Sequence, residues 1–164
     1  MYSNYSIQTF FIQSGWRRRF EIDLAKNELS QKDLSILEWG NYEVPTYNMA
    51  YDGVKENCFT YLMELMSKQQ MDESYSWDMV KFDSCKNKVV AKWGAPAHFS
   101  NEPYFIENPQ GESEDDGVIV ALAYDFENET SKLVIIDAKT MSLVQEYVLP
   151  FRIPWSFHAG FWRK

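Results

Sequence analysis

Val118-Ile119-Val120-Ala121-Leu122-Ala123-Tyr124 is an unbroken apolar run rich in β-branched residues. A polar turn, Asn128-Glu129-Thr130-Ser131, and a second apolar run, Leu133-Val134-Ile135-Ile136, follow it. Two such runs joined by a short polar segment read as a β-hairpin, because branched side chains pack well on a pleated surface and polar residues break the ladder. Leu143 to Leu149 supplies a third strand on the same logic. Upstream, Met79 to Asp83 and Val89 to Trp93 flank the turn Ser84-Cys85-Lys86-Asn87-Lys88. Arg17 to Leu24 alternates polar and apolar side chains as a half-buried strand does. Phe59 to Met66 fits a strand or a short helix. Residues 67–76 and 94–116 read as loop, being polar and broken by proline or glycine.

Asp23, Asp83 and Asp137 each close an apolar strand, and an aliphatic residue (Leu29, Val89, Leu143) stands six places after each. An aspartate at a strand end can bond the backbone of the turn it opens. The intervals, ~50 to 60 residues, approach one blade of a β-propeller. Any antiparallel meander could give a pattern this loose, so the spacing alone leaves both architectures open. At four strands a blade, the 164 residues amount to about three blades, while propellers close with ~4 to 8. The expectation is an all-β chain shaped as an arc of a ring, or one that closes in its own way.

Bulk properties narrow the function classes. The chain is 45% hydrophobic and 16% aromatic, ample for a core. A net charge of -8 with no long basic run argues against nucleic acid as a partner. The cluster Arg17-Arg18-Arg19 is followed at once by Glu21 and Asp23 and reads as a solvated strand start. The first fifteen residues lack the basic-then-apolar order of a secretory signal. No stretch reaches the ~18 apolar residues of a membrane-spanning helix. Cys58 and Cys85 form no CxxC pair, and free thiols in a reducing, cytoplasmic setting are the default reading. His98 and His158 are the two histidines. A lone histidine is more often structural than functional, and the aromatic and small neighbours of His158 could shield a metal or simply pack a terminus.

Five segments together resemble the end of the carotenoid cleavage oxygenase family, which includes the carotene dioxygenases and the retinal pigment epithelium isomerohydrolase. They are Asn101-Glu102-Pro103-Tyr104-Phe105-Ile106, Glu114-Asp115-Asp116-Gly117-Val118-Ile119, Asp137-Ala138-Lys139-Thr140-Met141, Leu149-Pro150-Phe151-Arg152-Ile153-Pro154 and Phe157-His158. Each piece is weak alone; their order over ~60 residues is specific. The resemblance implies a seven-bladed β-propeller of which residues 1–164 would be the C-terminal blades. It implies a ferrous iron, Fe(2+), held on the axis by four histidines, with His158 as the last of them. Glutamates orient some of those histidines in the family. Glu102 matches one such position, and Glu38, in Leu37-Glu38-Trp39-Gly40-Asn41-Tyr42, matches a second more loosely because Gly40 replaces a proline.

The implied reaction is oxidative cleavage of a carotenoid double bond, of the carotene-to-retinal type. The partners are an apolar carotenoid or retinoid and dioxygen, with peripheral membrane contact in the full-length protein. Retinyl ester isomerohydrolysis, and a β-rich remnant that binds no metal, are the alternatives. Ala159 stands where the family has glycine after the ligand, and three further ligand histidines have no counterpart here. One imidazole cannot hold iron, so the chain by itself is expected to be inactive. The resemblance makes Glu112 to Asp116 a turn into a strand, and the aromatic residues Tyr104, Phe105, Trp155, Phe157, Phe161 and Trp162 either core or tunnel lining. His98 matches no ligand motif and reads as a loop residue.

Overall fold

The computed structural model describes residues 17–34, 41–53, 57–65, 76–154, 158, 160 and 162. Among them it has eleven strands and one short 3-10 turn, Met49–Tyr51. The strands are β1 (Arg17–Asp23), β2 (Glu28–Leu34), β3 (Asn41–Thr46), β4 (Phe59–Leu65), β5 (Trp77–Asp83), β6 (Lys88–Trp93), β7 (His98–Ser100), β8 (Tyr104–Glu107), β9 (Gly117–Asp125), β10 (Thr130–Asp137) and β11 (Leu143–Val148). Two antiparallel four-stranded blades result, β3-β4-β5-β6 and β8-β9-β10-β11, preceded by the hairpin β1-β2. The short β7 joins the blades, running antiparallel to β9 and meeting β5 in parallel at Trp77 and Phe99. This is a partial β-propeller, with two full blades and one further hairpin where sequence length suggested about three.

The aspartate repeat has a physical basis that one hairpin design explains. Asp23 Oδ1 accepts from the N–H of Ala25 and Lys26, and Asp83 Oδ1 from Cys85 and Lys86. Asp137 Oδ1 accepts from Thr140 N–H, and Asp125, unnoticed in the sequence pattern, accepts from Asn128 N–H. Four residues after each aspartate the backbone turns left-handed, at Asn27, Asn87, Glu129 and Met141, with φ between 52° and 57°. The carboxylate satisfies the turn's donors, so the chain can reverse within five residues.

Phe59 to Leu65 resolves as a strand. The segment 94–116 corrects the loop reading, because it carries β7 and β8. These strands are three and four residues long, too short for alternation to declare itself. His98, expected in a loop, opens β7; its Nδ1 lies 2.7 Å from Pro96 O and its Nε2 3.3 Å from Lys132 Nζ.

The core fills the seam between the blades. Tyr61 and Met79 of the first blade pack on Phe105, Ile119, Ala121, Val134 and Ile136 of the second. The Tyr61 hydroxyl, buried there, donates to Ala138 O at 3.0 Å. Desolvation holds this phenol well above its usual range, with Asp115 adding to the effect.

The expectation of free thiols is overturned: Cys58 and Cys85 are joined in a disulfide, their Cα atoms 5.2 Å apart. Cys58 leads into β4 and Cys85 sits in the β5–β6 turn. Pairing of β4 with β5, extended by Ser84 N–H donating to Cys58 O at 2.7 Å, brings the two together. A separation of 27 residues conceals that neighbourhood in the sequence.

Candidate metal-facing site

Glu102 is held from both sides. Its neighbours Asn101 and Pro103 are buried, and Asn101 N–H donates to Leu122 O of β9 at 2.8 Å. Beyond Pro103, Phe105 N–H donates to Thr46 Oγ1 of β3 at 3.3 Å, which ties the first strands of the two blades together. The Glu102 carboxylate is thus fixed by the chain on either side of it while its own side chain remains 21% exposed.

The tail reaches it from the other direction. After β11, Leu149 N–H donates to Ser131 O and Ile153 N–H to Ser131 Oγ, at 2.8 and 2.9 Å. These two bonds hold the path of residues 149–153 on β10. His158 then meets Glu102: its Nδ1 lies 3.2 Å from Glu102 Oε2. A carboxylate accepts only, so Nδ1 carries the proton in the neutral ring, and the lone pair of the imidazole falls on Nε2, at its opposite edge. That is the tautomer a metal-ligating histidine needs, with the carboxylate fixing the ring's orientation.

Two of the three residues singled out in the sequence are therefore brought together, 56 positions apart in the chain. Glu38 lies outside the described residues. The His158 side chain is 77% exposed, and the aromatic neighbours that could shield it or pack the terminus, Trp155, Phe157 and Phe161, lie outside the described residues. Of the other aromatic residues named with it, Phe105 is core, Tyr104 is half-buried and Trp162 is exposed. The pair fits one position in a metal's coordination shell. No second ligand from the described residues joins it; the only His/Cys/Asp/Glu cluster of ligand spacing among them is Cys58, Asp83 and Cys85, whose sulfurs are spent on each other.

The acidic run before β9 does structural work that the sequence left as a mere turn. Glu114 accepts from the N–H groups of Cys58 and Phe59 at 2.6 to 2.9 Å, gripping the start of β4. Asp115 pairs with Lys81 Nζ at 2.7 Å, both almost fully buried, and Lys81 also donates to Lys139 O and lies 4.2 Å from the centre of the Phe59 ring. Burial opposes ionisation of Asp115, but bonds from Lys81 and Ser113 outweigh it and hold its carboxyl below the usual range. Asp116 accepts from Ser113 and Glu112 N–H, which hold its carboxyl far below that range. At Gly117 a Cβ would sit 2.4 Å from Ile106 O, so β8 and β9 can approach only with glycine there. A lysine in the middle of an apolar strand, three residues after Asp78, was the one sequence signal for the Lys81–Asp115 pair.

The family model described as retinal pigment epithelial membrane protein matches residues 4–163. A carotenoid dioxygenase of Neurospora crassa is 32% identical over 72% of this chain. A chloroplastic 9-cis-epoxycarotenoid dioxygenase of Arabidopsis thaliana is 28% identical over 93% of it. The matches span 18% and 26% of the lengths of those relatives, so the chain corresponds to about a quarter of them or less. Among solved structures, the cobalt-substituted Synechocystis ACO superposes with a TM-score of 0.73 at 24% identity, over 88% of this chain and 29% of that one. That likeness speaks to the fold.

Proposed function

The chain belongs to the carotenoid cleavage oxygenase family, and on that premise we propose that residues 1–164 act as the C-terminal blades of a seven-bladed oxygenase, contributing His158 as one of four histidine ligands to a ferrous iron. The observation that carries this reading is the 3.2 Å contact from His158 Nδ1 to Glu102 Oε2, which sets the ring tautomer for coordination through Nε2. When bound, iron would supply the dioxygen chemistry that splits a carotenoid double bond. The work of this chain is to orient one ligand: Glu102 keeps the proton on Nδ1, and the Ser131 bonds to Leu149 and Ile153 fix the tail that delivers the ring. Glu38 would orient another histidine. The remaining blades would provide three ligands and enclose the exposed His158. The dioxygenase matches favour cleavage over ester isomerisation, and a peripheral membrane would be the source of so apolar a substrate.

The Cys58–Cys85 bond sets a condition on location: it persists in an oxidising compartment and is lost to a cytosolic thiol pool. The reading is tested by iron content. The 164-residue chain alone should bind Fe(II) weakly or not at all. In a polypeptide carrying all the blades, one iron per chain is expected, lost in His158→Ala and weakened ~10–100-fold in Glu102→Gln. Full iron occupancy in His158→Ala would refute the assignment.

A further inference from the structure

The Cys58–Cys85 bond sits beside a third group of metal-ligating type. Asp83 is 1% exposed, and its carboxylate lies with the two sulfurs in a cluster whose donor atoms are all within 4.8 Å of one another. Backbone bonds assemble this cluster as well as the disulfide. Phe59, the residue after Cys58, pairs with Asp83 across β4 and β5. Ser84 N–H donates to Cys58 O at 2.7 Å. Cys58 N–H donates to Glu114 at 2.9 Å, and Asp83 Oδ1 accepts from Cys85 and Lys86 N–H at 3.0 and 2.8 Å. Each of the three residues is therefore fixed by its own main chain and stays in place once the sulfur–sulfur bond opens.

Cys85 is exposed and Cys58 half-buried, so a reductant has a sulfur to attack. The thiolate of a small thiol attacks Cys85 Sγ; the S–S bond breaks, its electron pair leaves on Cys58 Sγ, and that sulfur takes up a proton. A second thiol resolves the mixed disulfide. Two small thiols are thereby oxidised to one disulfide, and the protein pair is reduced to two thiols. Two thiols and a carboxylate are a donor set for a borderline-soft divalent cation, above all zinc, whereas calcium and magnesium take oxygen donors. Tetrahedral zinc, with bonds of ~2.0–2.3 Å, spaces its ligand atoms ~4 Å or less apart, which the cluster reaches by rotating its two cysteine side chains. Asp83 Oδ2 faces the Lys86 ammonium at 3.0 Å, and Lys86 is 67% exposed, so zinc can displace it into solvent.

We propose that Cys58, Asp83 and Cys85 form a zinc site in the reduced protein, with water in the fourth position. The β5–β6 turn is then tied to the start of β4 by a disulfide under oxidising conditions and by Zn2+ under reducing ones. Zinc takes both sulfurs as thiolates and one carboxylate oxygen, and the two thiol protons are released. This site is independent of the iron reading, because no histidine takes part and all three ligands belong to the first blade.

The test uses the 164-residue chain, reduced with a phosphine that is then removed under argon, and titrated with Zn2+ by calorimetry and with Co2+ by absorbance. The reduced chain should bind about one zinc, release about two protons at neutral pH, show sulfur-to-cobalt charge-transfer absorption and melt at a higher temperature with zinc. The oxidised chain should show none of these. Cys58→Ser and Cys85→Ser should each weaken zinc binding by about ten-fold or more. Asp83→Asn keeps an oxygen for the turn's N–H groups but loses the charge, and should also weaken it by about ten-fold or more. Lys86→Ala removes the competing ammonium and should tighten binding by about two-fold or more. The site is overturned if the reduced chain binds no zinc, if the oxidised chain binds it as tightly, or if Asp83→Asn leaves the affinity within about two-fold. Unfolding on reduction, read by near-ultraviolet circular dichroism, overturns it as well, because the main chain would then not hold the ligands.

Discussion

The seam between the two full blades and the outer faces of the arc both present apolar side chains, yet these are treated in opposite ways. At the seam Met79, Ile119, Val134 and Ile136 are wholly buried, and the contact is fastened by Glu114 on the backbone of β4 and Asp115 on Lys81. At one end of the arc Phe20, Ile22 and Leu29 of the β1-β2 hairpin are more than half exposed; at the other, every residue of β11 is exposed. A seam combines shape with polar pairs that fix its register. The outer faces expose those apolar side chains among charged ones, with polar ties to the blades from Arg19, which donates to Ser84, and from Glu146, which pairs with Lys132.

The sharpest way to break the distinction is at the buried pair. Asp115→Ala leaves the Lys81 ammonium buried without its partner, and Lys81→Ala does the reverse. Each should cost about 3–5 kcal/mol in urea denaturation, enough to unfold the chain if its stability is ordinary. The double replacement Lys81→Met with Asp115→Leu should recover much of that loss, because it leaves no buried charge behind. A cost below about 1 kcal/mol for either alanine would show that the pair fastens nothing.

The disulfide comes next. It closes a loop of 27 residues, for which chain entropy gives roughly 3–4 kcal/mol. Reduction or Cys85→Ser should lower the melting temperature while leaving Tyr61 and the seam packed as before, as read by near-ultraviolet circular dichroism. Iodoacetamide should label neither cysteine in protein purified without reductant; rapid double labelling would contradict the bond.

Acid should then loosen the blades that these carboxylates brace. Asp115, Asp116 and Asp125 all have carboxyls below the usual range. At Asp125 burial opposes ionisation, and bonds from Asn128 and Lys132 prevail. A depressed carboxyl contributes stability that is present above its unfolded value, about 3.9, and is lost as pH falls through its folded value. Stability should therefore hold from neutral pH to about 5 and fall steeply below about 4. Asp125→Asn should flatten part of that slope; an unchanged slope in both Asp125→Asn and Asp115→Asn would remove these groups from the acid response.

Much of this architecture was legible in the sequence where the physics is local. The hairpins show because β-branched runs alternate with Asp-initiated turns, and the blade-length repeat shows because each blade reuses the same aspartate. β7 and β8 did not show: three and four residues cannot display a period, and Pro96 and Pro103 beside them signal loop. The Cys58–Cys85 bond and the Lys81–Asp115 pair depend on neighbours 27 and 34 residues away, which spacing does not encode. Glu102 and His158 are unremarkable as residue types; only the match of ordered motifs singled them out, and their 3.2 Å contact needed the fold.

The smallest effect is expected at the ends, and it is the one that separates a waiting surface from a structural one. Ile22 is 68% exposed and Val144 57% exposed, on the hairpin β1-β2 and on β11. If these faces do nothing for the folded arc itself, Ile22→Lys and Val144→Lys should shift its stability by no more than about 0.5 kcal/mol. They should nevertheless reduce self-association of the isolated chain, since each replaces an exposed apolar side chain with a charge. In a polypeptide with all its blades the same lysines would be forced into seams, where burying an unpaired charge is costly, and the expected loss rises to several kcal/mol. A small effect in both settings would mean that the outer faces stay solvated even in the longer protein, and that the arc does not close into a ring through them.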